Sequence, residues 1–87
     1  MNHYLLVVSS PEGDLYRGHV KMLIVRGSEG DLAVLAGHIP FVTAIREGRC
    51  VIEDENGKRV EGTIGKGILT VRKDRVTVLT TKLKLDE

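Results

Sequence analysis

The turn-forming residues of this chain come too often for helices. Ten glycines and two prolines punctuate 87 residues, and Gly and Pro are the residues that helix interiors tolerate least. No segment carries the sustained apolar repeat of an amphipathic helix. Between the breaks lie short runs rich in Val, Ile, Leu and Thr, which suit a pleated, half-buried surface. Roughly eight to ten short strands at regular spacing point to an all-β chain, built as an antiparallel β-sandwich of two packed sheets.

Taken in order, His3 to Ser9 reads as the first strand, closed by a turn at Pro11, Glu12 and Gly13. Asp14 to Arg26 reads as one long bent strand, with Gly18 placed for a bulge or close backbone approach. Gly27 to Gly30 turns the chain, Leu32 to Leu35 is a short strand, Ala36 to Pro40 is a second turn and Phe41 to Arg46 a further strand. Gly48 is read as another break. Arg49 to Glu53 and Arg59 to Ile64 flank Asn56-Gly57, a strong short-range hairpin signal. Gly65 to Gly67 breaks the chain again. Ile68 to Arg72 and Val76 to Thr81 then flank a tight turn at Lys73, Asp74 and Arg75. Residues 1–81 are expected to form the sandwich and residues 82–87 a short tail.

A chain of this length makes one domain. The per-residue rule gives it a net stability of about 4–13 kcal/mol. A single two-layer core leaves little room for a deep substrate pocket. Thirteen basic and twelve acidic residues, mixed along the chain, leave a net charge of +1. That balance gives no electrostatic footprint for nucleic acid or anionic lipid. Tyr4, Tyr16 and Phe41 are too few for a base-stacking platform. The single cysteine, Cys50, has no internal disulfide partner. No apolar run approaches the roughly 20 residues of a membrane-spanning helix.

Each candidate chemistry meets a missing part. Ser9, Ser10 and Ser28 lie outside any G-x-S-x-G turn, and Gly27-Ser28-Glu29-Gly30 has no helix after it. Ser28 therefore reads as a turn residue, and Cys50, inside a strand pattern, as a small hydrophobe. His3, His19 and His38 lack the spacing of metal-ligand pairs, so no metal site is expected. Gly65-Lys66-Gly67 lacks the helix and glycines of a phosphate loop, and no cofactor is expected. What remains is interaction: Glu29, Asp31 and His38 sit on turns placed at one end of the expected sandwich, and loops on a rigid scaffold suit docking. A β-sandwich adaptor or small-ligand-binding module without catalytic activity fits these observations.

The stretch Gly27 to Ile45, GSEGDLAVLAGHIPFVTAI, resembles the signature of the epsilon subunit of F-type ATP synthase, called delta in mitochondria. That family's pattern is close to G-S-E-G-x-L-G-I-L-P-G-H-A-P-L-L-T-A-I. Gly27, Ser28, Glu29, Gly30, Leu32, Gly37, His38, Pro40, Thr43, Ala44 and Ile45 match it in register. Gly48, the run Gly67-Ile68-Leu69-Thr70-Val71 and Val76 to Leu79 continue the likeness. Ala33, Ala36 and Lys66 depart from it, the first and last where the family favours glycine and the second where it favours proline.

The resemblance implies a ten-stranded sandwich in the central stalk, joining the gamma subunit to the c-ring and coupling ion translocation to ATP synthesis without catalysing it. It implies that Glu29, Asp31 and His38 face the c-ring, that a sheet face covers gamma, and that Gly27, Gly30, Gly37, Pro40, Gly48 and Gly67 shape turns. It places such a chain on the cytoplasmic face of the bacterial cell membrane, held there through the complex. Family members carry a pair of C-terminal helices with inhibitory or ATP-binding roles; these roles are not expected of residues 1–87, in which no helical pair is read.

Overall fold

A computed structural model describes residues 3–86. Eight strands are formed, and the described residues contain no helix: β1 (Tyr4–Ser10), β2 (Gly13–Gly27), β3 (Gly30–Leu35), β4 (Phe41–Asp54), β5 (Arg59–Ile64), β6 (Gly67–Val71), β7 (Arg75–Thr80) and β8 (Leu83–Leu85). Two of them are long and serve both layers. In β2, residues 13–20 pair with β1, whereas residues 22–27 pair with β3. In β4, residues 41–45 pair with β6, whereas residues 48–53 pair with β5. The later halves of β2 and β4 also pair with each other.

The first sheet thus runs β3, late β2, late β4, β5, β8. The second runs early β2, β1, β7, β6, early β4. Each sheet holds five strand segments, so the expected ten strands and the observed eight describe the same sandwich. One pairing departs from the antiparallel expectation: β1 and β7 run parallel, Leu5 opposite Arg75 through Ser9 opposite Leu79.

Three local expectations are corrected. Gly48 does not break the chain; it lies inside β4, where the strand passes from one sheet to the other. The β2 register shifts not at Gly18 but between Val20 and Met22 and between Ile24 and Arg26, against β4, and the β1–β2 irregularity falls between Val8 and Ser9. The Tyr16 ring lies over Gly18 instead. Leu83 to Leu85, read as tail, pair with β5 and close the edge of the first sheet, Gly62 opposite Leu85. A three-residue edge strand has too few residues for its pattern to stand out from a loop.

The core lies between the sheets. Leu6 and Val8 of β1, Val20, Leu23 and Val25 of β2, Ile45, Cys50 and Ile52 of β4, and Leu69 and Val78 of β6 and β7 all point into it. These positions alternate with outward ones, as strand pleating requires. Tyr4 carries the one large polar side chain in the cluster, and its hydroxyl donates to the Val34 carbonyl at 2.7 Å, tying β1 to β3. Burial raises this phenol above its ordinary pKa. Two expected hairpins are present. Asp54 Oδ1 accepts from the Asn56 and Lys58 amides, both at 2.9 Å, and the Arg72 amide donates to the Arg75 carbonyl at 2.8 Å.

Candidate functional site

The β2–β3 turn begins and ends on a pair of glycines, Gly27 opposite Gly30. Ser28 and Glu29 stand exposed at its tip, and Asp31, opposite Arg26, is exposed at the start of β3. Gly27 through Leu32 form one wall of an open groove of about 390 Å³, and Phe41, Val42 and Thr43 form the other. The groove sets two carboxylate side chains against an aromatic ring and an aliphatic side chain.

His38 follows β3. Its amide donates to the Leu35 carbonyl at 3.3 Å, and Gly37, at φ +87°, makes the reversal in a conformation L side chains rarely adopt. His38 is half-buried, with its ring centroid 6.2 Å from that of Phe41. Beside it Ile39 is 82% exposed, followed by exposed Pro40.

The expected cluster of Glu29, Asp31 and His38 is therefore divided. The two acids lie at the start of β3 and His38 beyond its end. Phe41 links the two places, since it lines both the acidic groove and the hollow formed by Gly37, His38 and Ile39. The glycines read as turn-formers divide likewise. Gly30, at φ +124° where β3 begins, and Gly37 shape turns, Gly67 opens β6, and Gly48 lies within β4. Gly67 is needed for a different reason: a Cβ there would collide with the Leu79 carbonyl oxygen of the neighbouring strand.

A second surface was not singled out from sequence. On the outer face of the second sheet, cross-strand register aligns Ala44, Ile68 and Leu79 in one row and Val42, Thr70 and Thr77 in the next. Val42 is 66% exposed, Leu79 56% and Ile68 42%. Threonine and serine border these side chains, and no ion pair crosses the two rows among the described residues. Three of the exposed large hydrophobic side chains of the described residues thus gather on this one face. The signal was present as the outward parity of β4, β6 and β7, but it emerges only once those three strands are known to be neighbours.

On the first sheet, the β4–β5 side of the outer face has the opposite character, although Leu35 of β3 is 49% exposed on the same face. Arg49 pairs with Glu61 at 3.3 Å and Arg59 with Glu53 at 3.1 Å, and between them Val51 is only 1% exposed. The stems of such long charged side chains cover apolar neighbours while their heads stay in water. Where β4 crosses between sheets, Lys82 reaches Glu47 at 2.7 Å and holds its carboxyl below the usual carboxylate range through that hydrogen bond.

The two candidate nucleophiles read from sequence, Ser28 and Cys50, lack the setting of a reactive group among the described residues. Ser28 has no base in hydrogen-bond contact among the described residues. Cys50 is buried, and burial pushes its thiol up to about 11, so it stays protonated at neutral pH. Fold and surfaces together define a small all-β module with one apolar sheet face and one acidic loop edge.

Comparison with known proteins gives that module a family. Residues 4–85 match the family model described as the ATP synthase delta/epsilon chain β-sandwich domain, and the chain belongs to this family. It is 33% identical over 79 residues to an ATP synthase epsilon chain of Brevibacillus brevis, covering 91% of this chain and 60% of that one. It is 34% identical over 87 residues to an ATP synthase epsilon chain of Caldicellulosiruptor saccharolyticus, covering 100% of this chain and 63% of that one. Against a Psychrobacter epsilon chain the identity is 40% over 73 residues, 84% of this chain and 52% of the relative. The chain thus spans between about half and two thirds of the length of these relatives.

The fold recurs in a chain of the Euglena gracilis mitochondrial ATP synthase structure containing OSCP, F1 and the c-ring. The TM-score is 0.88 at 24% identity, covering 98% of this chain and 54% of that one. It recurs also in the central stalk and c-ring structure of the Tetrahymena thermophila mitochondrial enzyme, with a TM-score of 0.73 at 14% identity over 93% of this chain and 65% of that one.

Proposed function

We propose that this chain is the sandwich part of a central-stalk rotor subunit of an F-type ATP synthase, a non-catalytic link between the gamma subunit and the c-ring. The observation that carries the reading is the unroofed apolar face formed by Val42, Ala44, Ile68 and Leu79 on a domain of the delta/epsilon family. That face is the surface for gamma. Its flat, rigid backing of β4, β6, β7 and β1 suits a part that must carry torque without bending, because closely packed sheets resist deformation.

The acidic groove at Glu29 and Asp31, with His38 beyond the other end of β3, faces the polar loops of the c-ring. Exposed carboxylates there provide steering and register more than raw affinity. In this reading the domain sits peripherally at the membrane through the complex, on the cytoplasmic side in a bacterium.

The experiment is reconstitution of the chain with gamma and a c-ring. Binding to gamma, together with weakened ring attachment in Asp31→Arg at unchanged melting temperature, is the expected result. Absence of gamma binding, with a small molecule bound instead, would favour the ligand-binding module. Unchanged ATP-driven ion pumping in Asp31→Arg would remove Asp31 from the ring contact.

A further inference from the structure

His3, His19 and Glu55 are far apart in sequence and converge at one corner of the sandwich. The β-ladders bring them there. Tyr4 of β1 lies opposite Val20 of β2, and Val20 lies opposite Asp54 of β4. His3 precedes Tyr4, His19 precedes Val20 and Glu55 follows Asp54, so the three flank a shared cross-strand row. Tyr4 and Val20 point into the core, which turns His3 and His19 to the outer side.

The geometry is specific. The Nδ1 atoms of His3 and His19 are 3.1 Å apart, with the rings at 89° and their centroids 5.0 Å apart. One ligand atom from each imidazole and one Glu55 carboxylate oxygen all fall within 4.8 Å of one another. Two donors on a tetrahedral zinc centre, each about 2.0–2.1 Å from the metal, are separated by about 3.3 Å. The two nitrogens already stand near that separation. Glu55 is exposed on the β4–β5 turn, makes no ion pair among the described residues and has the freedom to close the remaining gap. Asp74 and Arg75 line the adjoining hollow with His3, Tyr4, Leu5 and His19, so one further carboxylate and one opposing cation flank the corner.

We propose that His3, His19 and Glu55 bind a divalent first-row transition metal ion. Imidazole with carboxylate suits zinc among these, and three protein ligands leave a fourth position for water. Bound there, the ion ties the start of β1, the bend of β2 and the β4–β5 turn to one point. A ligand that binds only the folded chain raises its stability. This site lies apart from the Glu29–Asp31 groove and from the row of Ala44, Ile68 and Leu79, and it does not depend on the rotor reading.

The test is calorimetric titration of the full 87-residue chain with zinc chloride, alongside thermal melts with and without the metal. Expected are one ion per chain at micromolar affinity and a higher melting temperature with zinc. His3→Ala and His19→Ala should each weaken binding by about tenfold or more, and Glu55→Gln by less. Should His19→Ala fail to fold, His19→Gln stays closer to the size of the ring and carries the same comparison. No saturable binding at millimolar zinc would overturn the proposal. So would full affinity in the His19 variant, including the case where only His3→Ala abolishes binding, since His19 would then be no ligand.

Discussion

The two outer faces of this sandwich share β2 and β4, and along β4 they carry opposite solutions to exposed apolar area. On the first sheet, Val51 is hidden beside the Arg49–Glu61 and Arg59–Glu53 pairs. On the second, Val42, Ile68 and Leu79 stand open beside threonines. Both valines belong to β4, only nine positions apart, and they differ because β4 changes sheets between them. One strand thus supplies an ion-paired surface with its later half and an exposed apolar surface with its earlier half. The lesson is that burial of an outward residue is decided by its cross-strand neighbours, not by its own identity or parity.

The largest expected effect breaks the comparison on the open face. Ile68→Asp with Leu79→Asp should weaken gamma binding by about 100-fold, roughly 3 kcal/mol, as loss of central apolar contacts does. Circular dichroism should show an unchanged fold. Next, the two valines can be set against each other. Val51→Ala should cost about 2 kcal/mol of stability, since it opens a cavity under a covered site. Val42→Ala should stay within about 0.5 kcal/mol in the isolated chain. Denaturant midpoints measure both, and equal losses would mean that the faces do not differ.

Cys50 sharpens the comparison from the core side of the same strand. Its thiol is raised by burial from 9.0 to about 11, so folding favours the protonated form. The contribution of this group is fully present below the unfolded value and is lost as the pH rises through about 11. The stability difference between the parent chain and Cys50→Ala should therefore shrink above pH 9.0. Native chain should also resist thiol reagents that label it at once when unfolded. The smallest effect belongs to the charged face. Glu53→Gln or Arg59→Gln should change stability by no more than about 1 kcal/mol, with less change at high salt, and leave gamma binding as it was.

Much of this fold is legible from turn chemistry. Asn56-Gly57, the Lys73–Arg75 turn and the glycines around Ser28 and Glu29 mark reversals where reversals occur. The errors share a cause. Gly48 was read as a break because glycine punctuates chains, yet it sits within β4; the break read at Gly65 to Gly67 separates β5 from β6, and Gly67 opens β6 where a neighbouring carbonyl comes too close for a Cβ. Gly18 was read as placed for a bulge or close backbone approach, but the β2 register shifts lie beyond Val20, against β4, a property of pairing that no local residue announces.

The acidic edge was legible through Glu29 and Asp31, while the grouping of His38 with them was not, because β3 stands between. The apolar face and the His3–His19 approach depend on register between distant strands, which sequence spacing does not contain.

The central claim, that the second sheet's outer face meets gamma, is tested most directly by amide NMR shifts of the labelled chain as gamma is added. Shifts confined to Val42, Ala44, Ile68, Thr70, Thr77 and Leu79 are the expected result. Shifts at Arg49, Glu53, Arg59 and Glu61, with that row silent, would contradict it.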